Sequence, residues 1–162
     1  MEKNINMDHD EYQISEEKII NLLKSPRKKQ EVKRLNPLVL AYIGDAVYEV
    51  YVRKYLISTQ KTLVNQLHKS AIQFVKAESQ SSIIHHIMDD LTQEEQTILK
   101  RGRNSKSQTI PKHADVSDYR YATGFEALIG YLYLIGEEKR LMDMIAKSIE
   151  LIQNKLDGNL PQ

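Results

Sequence analysis

Cysteine is absent from the 162 residues. That absence excludes disulfides, thiolate-bound zinc and a cysteine nucleophile together, and it suits a reducing compartment. Tryptophan is also missing, and only two Phe and four Pro occur. No run approaches the ~18–20 apolar residues of a membrane span, so no membrane partner is expected. The N-terminus is polar and acidic without an apolar signal core, which points to a cytoplasmic protein. Few stretches alternate apolar and polar residues, so the sequence predicts an all-α fold. The length predicts one domain with a real core.

What is present is unevenly distributed. The net charge is only +1. Yet residues 1–17 hold Glu2, Asp8, Asp10, Glu11, Glu16 and Glu17 against Lys3 alone. Lys24, Arg27, Lys28, Lys29, Lys33 and Arg34 form a basic cluster broken only by Glu31. A second, acid-free cluster runs through residues 100–112, with Lys100, Arg101, Arg103, Lys106 and Lys112. Such local asymmetry matters more to a polyanionic partner than the sum does.

Residues 1–14 lack periodicity and read as disordered. Ser15 opens a short amphipathic helix with Ile19, Ile20, Leu22 and Leu23, ending near Pro26. The stretch to Leu35 is a linker or a helical extension. Asn36-Pro37 is a start signal, with Asn as N-cap and Pro at the first helical position. The helix that follows, to about Leu56, is expected to bury Val39, Ile43, Val47 and Val50. Ala41, Asp45, Glu49 and Arg53 share a neighbouring face at four-residue spacing. Residues 62–90 read as one or two helices, with Leu63, Leu67, Ala71, Phe74 and Val75 inward. Thr92-Gln93-Glu94-Glu95 has the capping-box pattern of a helix ending before Gly102. Residues 102–117 read as a loop. Helices are then expected over about 117–134 and 137–156.

Two segments carry the chemistry. Leu40-Ala41-Tyr42-Ile43-Gly44-Asp45-Ala46-Val47 and Phe125-Glu126-Ala127-Leu128-Ile129-Gly130-Tyr131-Leu132 each place an acid among apolar and small residues. A carboxylate there is costly unless it is paired, exposed in a cleft or bound to a metal. Asp45 and Glu126 together suit Mg²⁺, with Mn²⁺ as a substitute, since both are hard cations that take oxygen ligands. Metal-assisted phosphodiester hydrolysis needs such acids and no cysteine. The basic run adds Lys100, Arg101, Arg103, Asn104, Lys106 and Lys112 as phosphate contacts without sequence preference. His85 with Asp89, and His86 with Asp90, stand at i, i+4 and offer a weaker, transition-metal alternative.

These residues resemble the catalytic domain of the ribonuclease III family. Ile43-Gly44-Asp45-Ala46-Val47 is similar to its signature helix, and Phe125-Glu126-Ala127-Leu128-Ile129-Gly130 to its second acidic helix. Arg101-Gly102-Arg103-Asn104-Ser105-Lys106-Ser107, followed by Tyr119-Arg120-Tyr121-Ala122-Thr123, resembles the compact Mini-ribonuclease III branch, which lacks a double-stranded-RNA-binding domain. The resemblance covers about residues 36–150. It implies an all-α ribonuclease III-like domain at 36–156, with an extension at 1–35 and a flexible tail at 157–162. It also implies a homodimeric, Mg²⁺-dependent endoribonuclease that cuts double-stranded RNA to leave 5′-phosphate ends. The family's substrate is precursor 23S ribosomal RNA. Asp45 and Glu126 would be both catalytic and metal-binding. Ordinary ribonuclease III has further carboxylates where this chain has Ala41 and Thr123. That departure keeps open a catalytically silent RNA- or ribosome-binding scaffold.

Overall fold

The computed structural model describes residues 14–60, 63–105 and 110–160, and every regular element among them is helical. In chain order they are α1 (Glu16–Lys24), α2 (Lys29–Lys33), α3 (Pro37–Thr59), α4 (Val64–Val75), α5 (Ala77–Ile87), a 3₁₀ turn (Met88–Asp90), α6 (Gln93–Asn104), α7 (Val116–Leu134) and α8 (Glu138–Leu156). The start signals act as read. Asn36 Oδ1 accepts from the Leu38 amide at 2.9 Å, ahead of Pro37 at N1. Thr92 and Glu95 form the reciprocal capping box. Asp115 caps α7 by accepting from the Asp118 amide at 2.9 Å.

Helices α3 and α7 form the central pair. Two glycines decide how closely they approach. A Cβ at Gly44 would lie 1.7 Å from the Glu126 carbonyl oxygen, and one at Gly130 would lie 2.0 Å from that of Leu40. Any side chain at either position would push the helices apart. Backbone contact therefore sets the distance between Asp45, next to Gly44, and Glu126 on the facing helix. Helix α6 docks on the other side of α7 by a similar device, with Gly102 against Gly124 and Ala127. Tyr48 and Phe125 meet edge to face, centroids 4.9 Å apart, at the centre of the core. The buried Tyr48 hydroxyl is satisfied by donating to the Phe74 carbonyl.

Several local expectations are corrected. Val39 and Val50 are exposed, and α3 instead buries Leu40, Ala41, Gly44, Val47, Tyr48, Val52 and Leu56. The reason is the glycine contact, which rotates the 40–44–48 line toward α7. Leu63 is exposed. Helix α6 continues past Gly102 to Asn104, because that glycine is a packing contact rather than a stop. Helix α1 forms where read, capped by Ser15, but buries none of its apolar residues. The disorder expected over 1–14 falls outside the described residues except at Ile14.

Candidate active site

Asp45 projects from α3 and Glu126 from α7 into one cavity of about 440 Å³, which Ala41, Glu49, Tyr119 and Thr123 also line. Ala41 and Thr123 occupy the two places where a further acid was missing, so the small side chains leave room instead of charge. The Thr123 hydroxyl donates to the Tyr119 carbonyl at 3.0 Å. Its oxygen still has lone-pair capacity.

Both acids are electrostatically uncomfortable. Asp45 is exposed to the cavity mouth, yet partial desolvation raises its carboxyl above the ordinary value, and Glu49 one turn away raises it further. Burial, then the charge of Asp45, pushes Glu126 up to about 8; the nearby Gln80 amide only partly opposes this. Among the described residues, no cation contributes to either group. Glu49 faces the same cavity but is already paired with Arg53 at 2.8 Å. Among the described residues, no three His, Cys, Asp or Glu converge as a ready-made metal cage. The donor set is therefore two oxygen-bearing acids open to one cavity. That set fits a hard divalent cation that keeps most of its waters.

The basic residues divide into two kinds. Lys100 and Lys112 are exposed, as is Asn104. The Arg103 guanidinium lies over the Tyr121 ring, 5.5 Å from its centroid. Arg101 is different: its guanidinium donates to the carbonyls of Lys33 at 2.6 Å and Leu35 at 3.2 Å. It ties the segment before α3 to α6, and those donors are not available to a phosphate. Lys106 lies outside the described residues. In the earlier basic cluster, Lys29 and Lys33 both pair with Glu94.

The histidine alternative does not assemble. Helix α5 ends at Ile87, so Asp89 and Asp90 sit in a 3₁₀ turn and the i, i+4 geometry is lost. His85 Nδ1 donates to the Ser81 carbonyl at 2.7 Å, and its ring packs on Tyr121. A larger groove of about 960 Å³ lies between α3 and α8. Its Asp143 is already paired with Arg140 and Lys147. Two residues that act on the acid pair, Glu49 in the cavity and Gln80 behind it, were not assigned from sequence. Glu49 was legible as a same-face neighbour of Asp45. Gln80 gave no signal, because a lone amide in a helix is ordinary.

Comparison with known proteins agrees with this geometry. The ribonuclease III domain model matches residues 38–137. The chain is 56% identical over 126 residues to the Mini-ribonuclease 3 of Clostridium tetani, covering 77% of this chain and 83% of that one. It is 44% identical over 126 residues to the Mini-ribonuclease 3 of Staphylococcus aureus, covering 76% and 94%. The X-ray crystal structure of protein FN1578 from Fusobacterium nucleatum superposes with a TM-score of 0.67 at 34% identity, covering 74% of this chain and 96% of that one. With matches of this extent, the chain belongs to the ribonuclease III family of endoribonucleases, in its Mini-ribonuclease 3 branch.

Proposed function

We propose that this endoribonuclease hydrolyses double-stranded RNA at the Asp45–Glu126 cavity with Mg²⁺, or Mn²⁺ in its place, and that its substrate is precursor 23S ribosomal RNA in the cytoplasm. The observation that carries the reading is the uncompensated acid pair itself. Asp45 and Glu126 are held together by backbone contact at Gly44 and Gly130, with no cation among the described residues contributing to either. A protein that needed only stability would not keep two such carboxylates together in one cavity.

Asp45 and Glu126 would hold the cation, and Thr123 would offer its hydroxyl oxygen to the same cavity. When bound, the cation would supply an activated water and offset charge on the reacting phosphate. At neutral pH Glu126, held at about 8, keeps a proton on its carboxyl, which it would have to release to solvent in order to hold a cation. Lys100, Arg103, Asn104 and Lys112 would position the RNA backbone without reading sequence. This leaves Arg101 as a tether, and Lys106 is proposed from sequence alone.

The active form is proposed to be a homodimer. Val39, Tyr42, Val50 and Ile57 are exposed large apolar residues. Their spacing puts them on one side of α3, beside Asp45. An exposed stripe of that kind marks an interaction surface. A second copy there would bring two acid pairs to one duplex.

The decisive experiment incubates the protein with a long RNA duplex, a single-stranded RNA and a DNA duplex, each with Mg²⁺ or EDTA. Cleavage of the RNA duplex alone, only with Mg²⁺ and leaving 5′-phosphates, supports the reading. Binding without metal-dependent cleavage would support the silent scaffold instead. Light scattering of the free protein gives the oligomeric state.

A further inference from the structure

Glu49 lines the same cavity as Asp45 and Glu126, yet a two-acid site gives it no task. It stands one turn after Asp45 on α3, and Arg53 stands one turn after Glu49, so the three share a face. Glu49 Oε1 accepts from Arg53 Nη2 at 2.8 Å. Both side chains are open to water, 37% exposed for Glu49 and 52% for Arg53. An ion pair this exposed adds little to stability. Asp45 and Glu49 are moreover a like-charge i, i+4 pair, which weakens a helix. A pair that served the helix alone would sit better on a face without Asp45.

The cavity is short of oxygen where Glu49 could supply it. One turn before Asp45, Ala41 offers none. On the facing helix the Thr123 hydroxyl gives its hydrogen to the Tyr119 carbonyl. Among the described residues, Glu49 is the one further carboxylate on the cavity wall. A Mg²⁺-sized ion takes about six oxygens and keeps several of them as water. Such waters need acceptors to orient them, and a carboxylate one turn from a ligand is well placed to be one. As placed, the Glu49 carboxylate is turned to Arg53, which agrees with the three acids not converging into a cage. Because that contact is exposed, it is easily exchanged for another.

We infer that Glu49 is a positioning residue for the cation: its carboxylate leaves Arg53 and accepts a hydrogen bond from a water that the cation keeps between Asp45 and Glu126. The inference rests on the proposed metal reading of the cavity. Groups that orient the surroundings of a bound metal are typically worth about 10–100-fold in metal affinity or activity.

The test separates this role from that of a surface ion pair. Mn²⁺ binding to the RNA-free protein is measured by titration calorimetry for wild type, Glu49→Gln, Glu49→Asp, Arg53→Met and Glu126→Gln, beside thermal melting in EDTA. Glu49→Gln and Arg53→Met both break the pair, so both should shift melting slightly. Their Mn²⁺ affinities should move apart. Glu49→Gln should bind about tenfold more weakly. Arg53→Met should bind as tightly as wild type or more so, because the carboxylate is released and a competing positive charge is gone. Glu49→Asp keeps the charge but is one methylene shorter, and it should weaken Mn²⁺ in the same direction as Glu49→Gln. On duplex RNA, kcat of Glu49→Gln should fall while KM stays near wild type. Wild-type Mn²⁺ affinity in Glu49→Gln overturns the inference. So does an equal loss in Glu49→Gln and Arg53→Met, which would mean that only the pair matters. Wild-type affinity in Glu49→Asp overturns it too, since charge without reach would then suffice. If wild type binds no Mn²⁺, or Glu126→Gln binds it as wild type does, the metal reading itself has failed. If Glu126→Gln loses binding while Glu49→Gln keeps it, only the positioning role has failed.

Discussion

This protein places acids in two regions and treats them in opposite ways. On α6, burial would push the Glu94 carboxyl up, but hydrogen bonds from Lys29, Lys33 and Tyr131 outweigh it and hold the group at about 2. Beside it, burial likewise raises Glu95, while Arg140 and the Thr92 amide bring it below its ordinary value. These charges are answered within the fold, and they clamp α2 and α8 to α6. At the α3–α7 crossing Asp45 and Glu126 face no cation among the described residues, and both are pushed upward. Acids answered from within are fasteners. Acids held close with no answer are arranged for something that arrives from outside.

The largest effects should separate the regions by function. Asp45→Asn keeps volume and removes the charge. It should lower duplex cleavage by at least about 10²-fold, the scale of losing one electrostatic stabiliser. Glu126→Gln should do likewise. The double variant should be little worse than either, because both disable one site. Neither variant should melt below wild type, because each removes a carboxylate whose charged form the fold disfavours. Full activity in Asp45→Asn would falsify the assignment.

The fastener region should respond in the opposite sense. Arg140→Ala leaves Glu95, 5% exposed, without its cation. The loss should be about 2–3 kcal/mol, somewhat below that of a fully buried pair because Arg140 itself is partly exposed. At ~2–4 °C per kcal/mol for a domain of this size, melting should fall by about 4–12 °C. Below that transition kcat should be unchanged. A variant that melts normally but has lost catalysis would erase the distinction between the regions.

Much of this contrast was legible before the structure. The capping box, the Asn36-Pro37 start and the two acid-bearing helices are local patterns, and local hydrogen bonding makes them. What could not be read was which partner each charge meets. Glu94 and Lys29 are distant in sequence, as are Arg101 and the Lys33 carbonyl. Glycine misled at Gly102, because a packing glycine and a terminating glycine look alike until the facing helix is known. The α3 stripe failed at Val39 and Val50 for a related reason: periodicity locates faces but does not say which one a neighbour covers.

The pH dependence sharpens the comparison through its sign. Glu126 is raised from its ordinary 4.5 to about 8. The folded state then holds the proton more tightly than the unfolded chain. Its contribution to stability is complete below about 4.5 and is lost as pH rises through about 8. In EDTA, Glu126→Gln should therefore be more stable than wild type at pH 9, by about 1–2 kcal/mol after allowing for partial solvation. The difference should vanish near pH 5. Excess Mg²⁺ at pH 9 should narrow it by stabilising wild type alone. Glu94 works the other way: its contribution is present above 4.5 and lost as pH falls through about 2. Glu94→Gln should therefore destabilise at neutral pH and converge with wild type in acid. Parallel stability curves for wild type and Glu126→Gln would mean that Glu126 is better solvated than its burial indicates.

The smallest effects concern the cations, where the same division between engaged and available groups should hold. Lys100 and Lys112 are exposed, and Arg103 contacts Tyr121 and the neighbouring Asn104 side chain. Changing all three to Ala should weaken duplex binding and flatten its salt dependence. Each phosphate that is no longer neutralised should reduce the log–log slope by roughly 0.9 if duplex RNA behaves like B-DNA. Arg101→Ala removes an equal charge from the same helix, but that charge is directed at the Lys33 and Leu35 carbonyls. It should lower the melting temperature and leave the slope nearly unchanged. The measurement is a set of binding isotherms at three salt concentrations for wild type, Arg101→Ala and the triple variant. A slope change in Arg101→Ala matching one phosphate would show that its guanidinium leaves the carbonyls for RNA. Parallel slopes in the triple variant would remove this end of α6 from the RNA path, leaving its exposed lysines as a solvated surface.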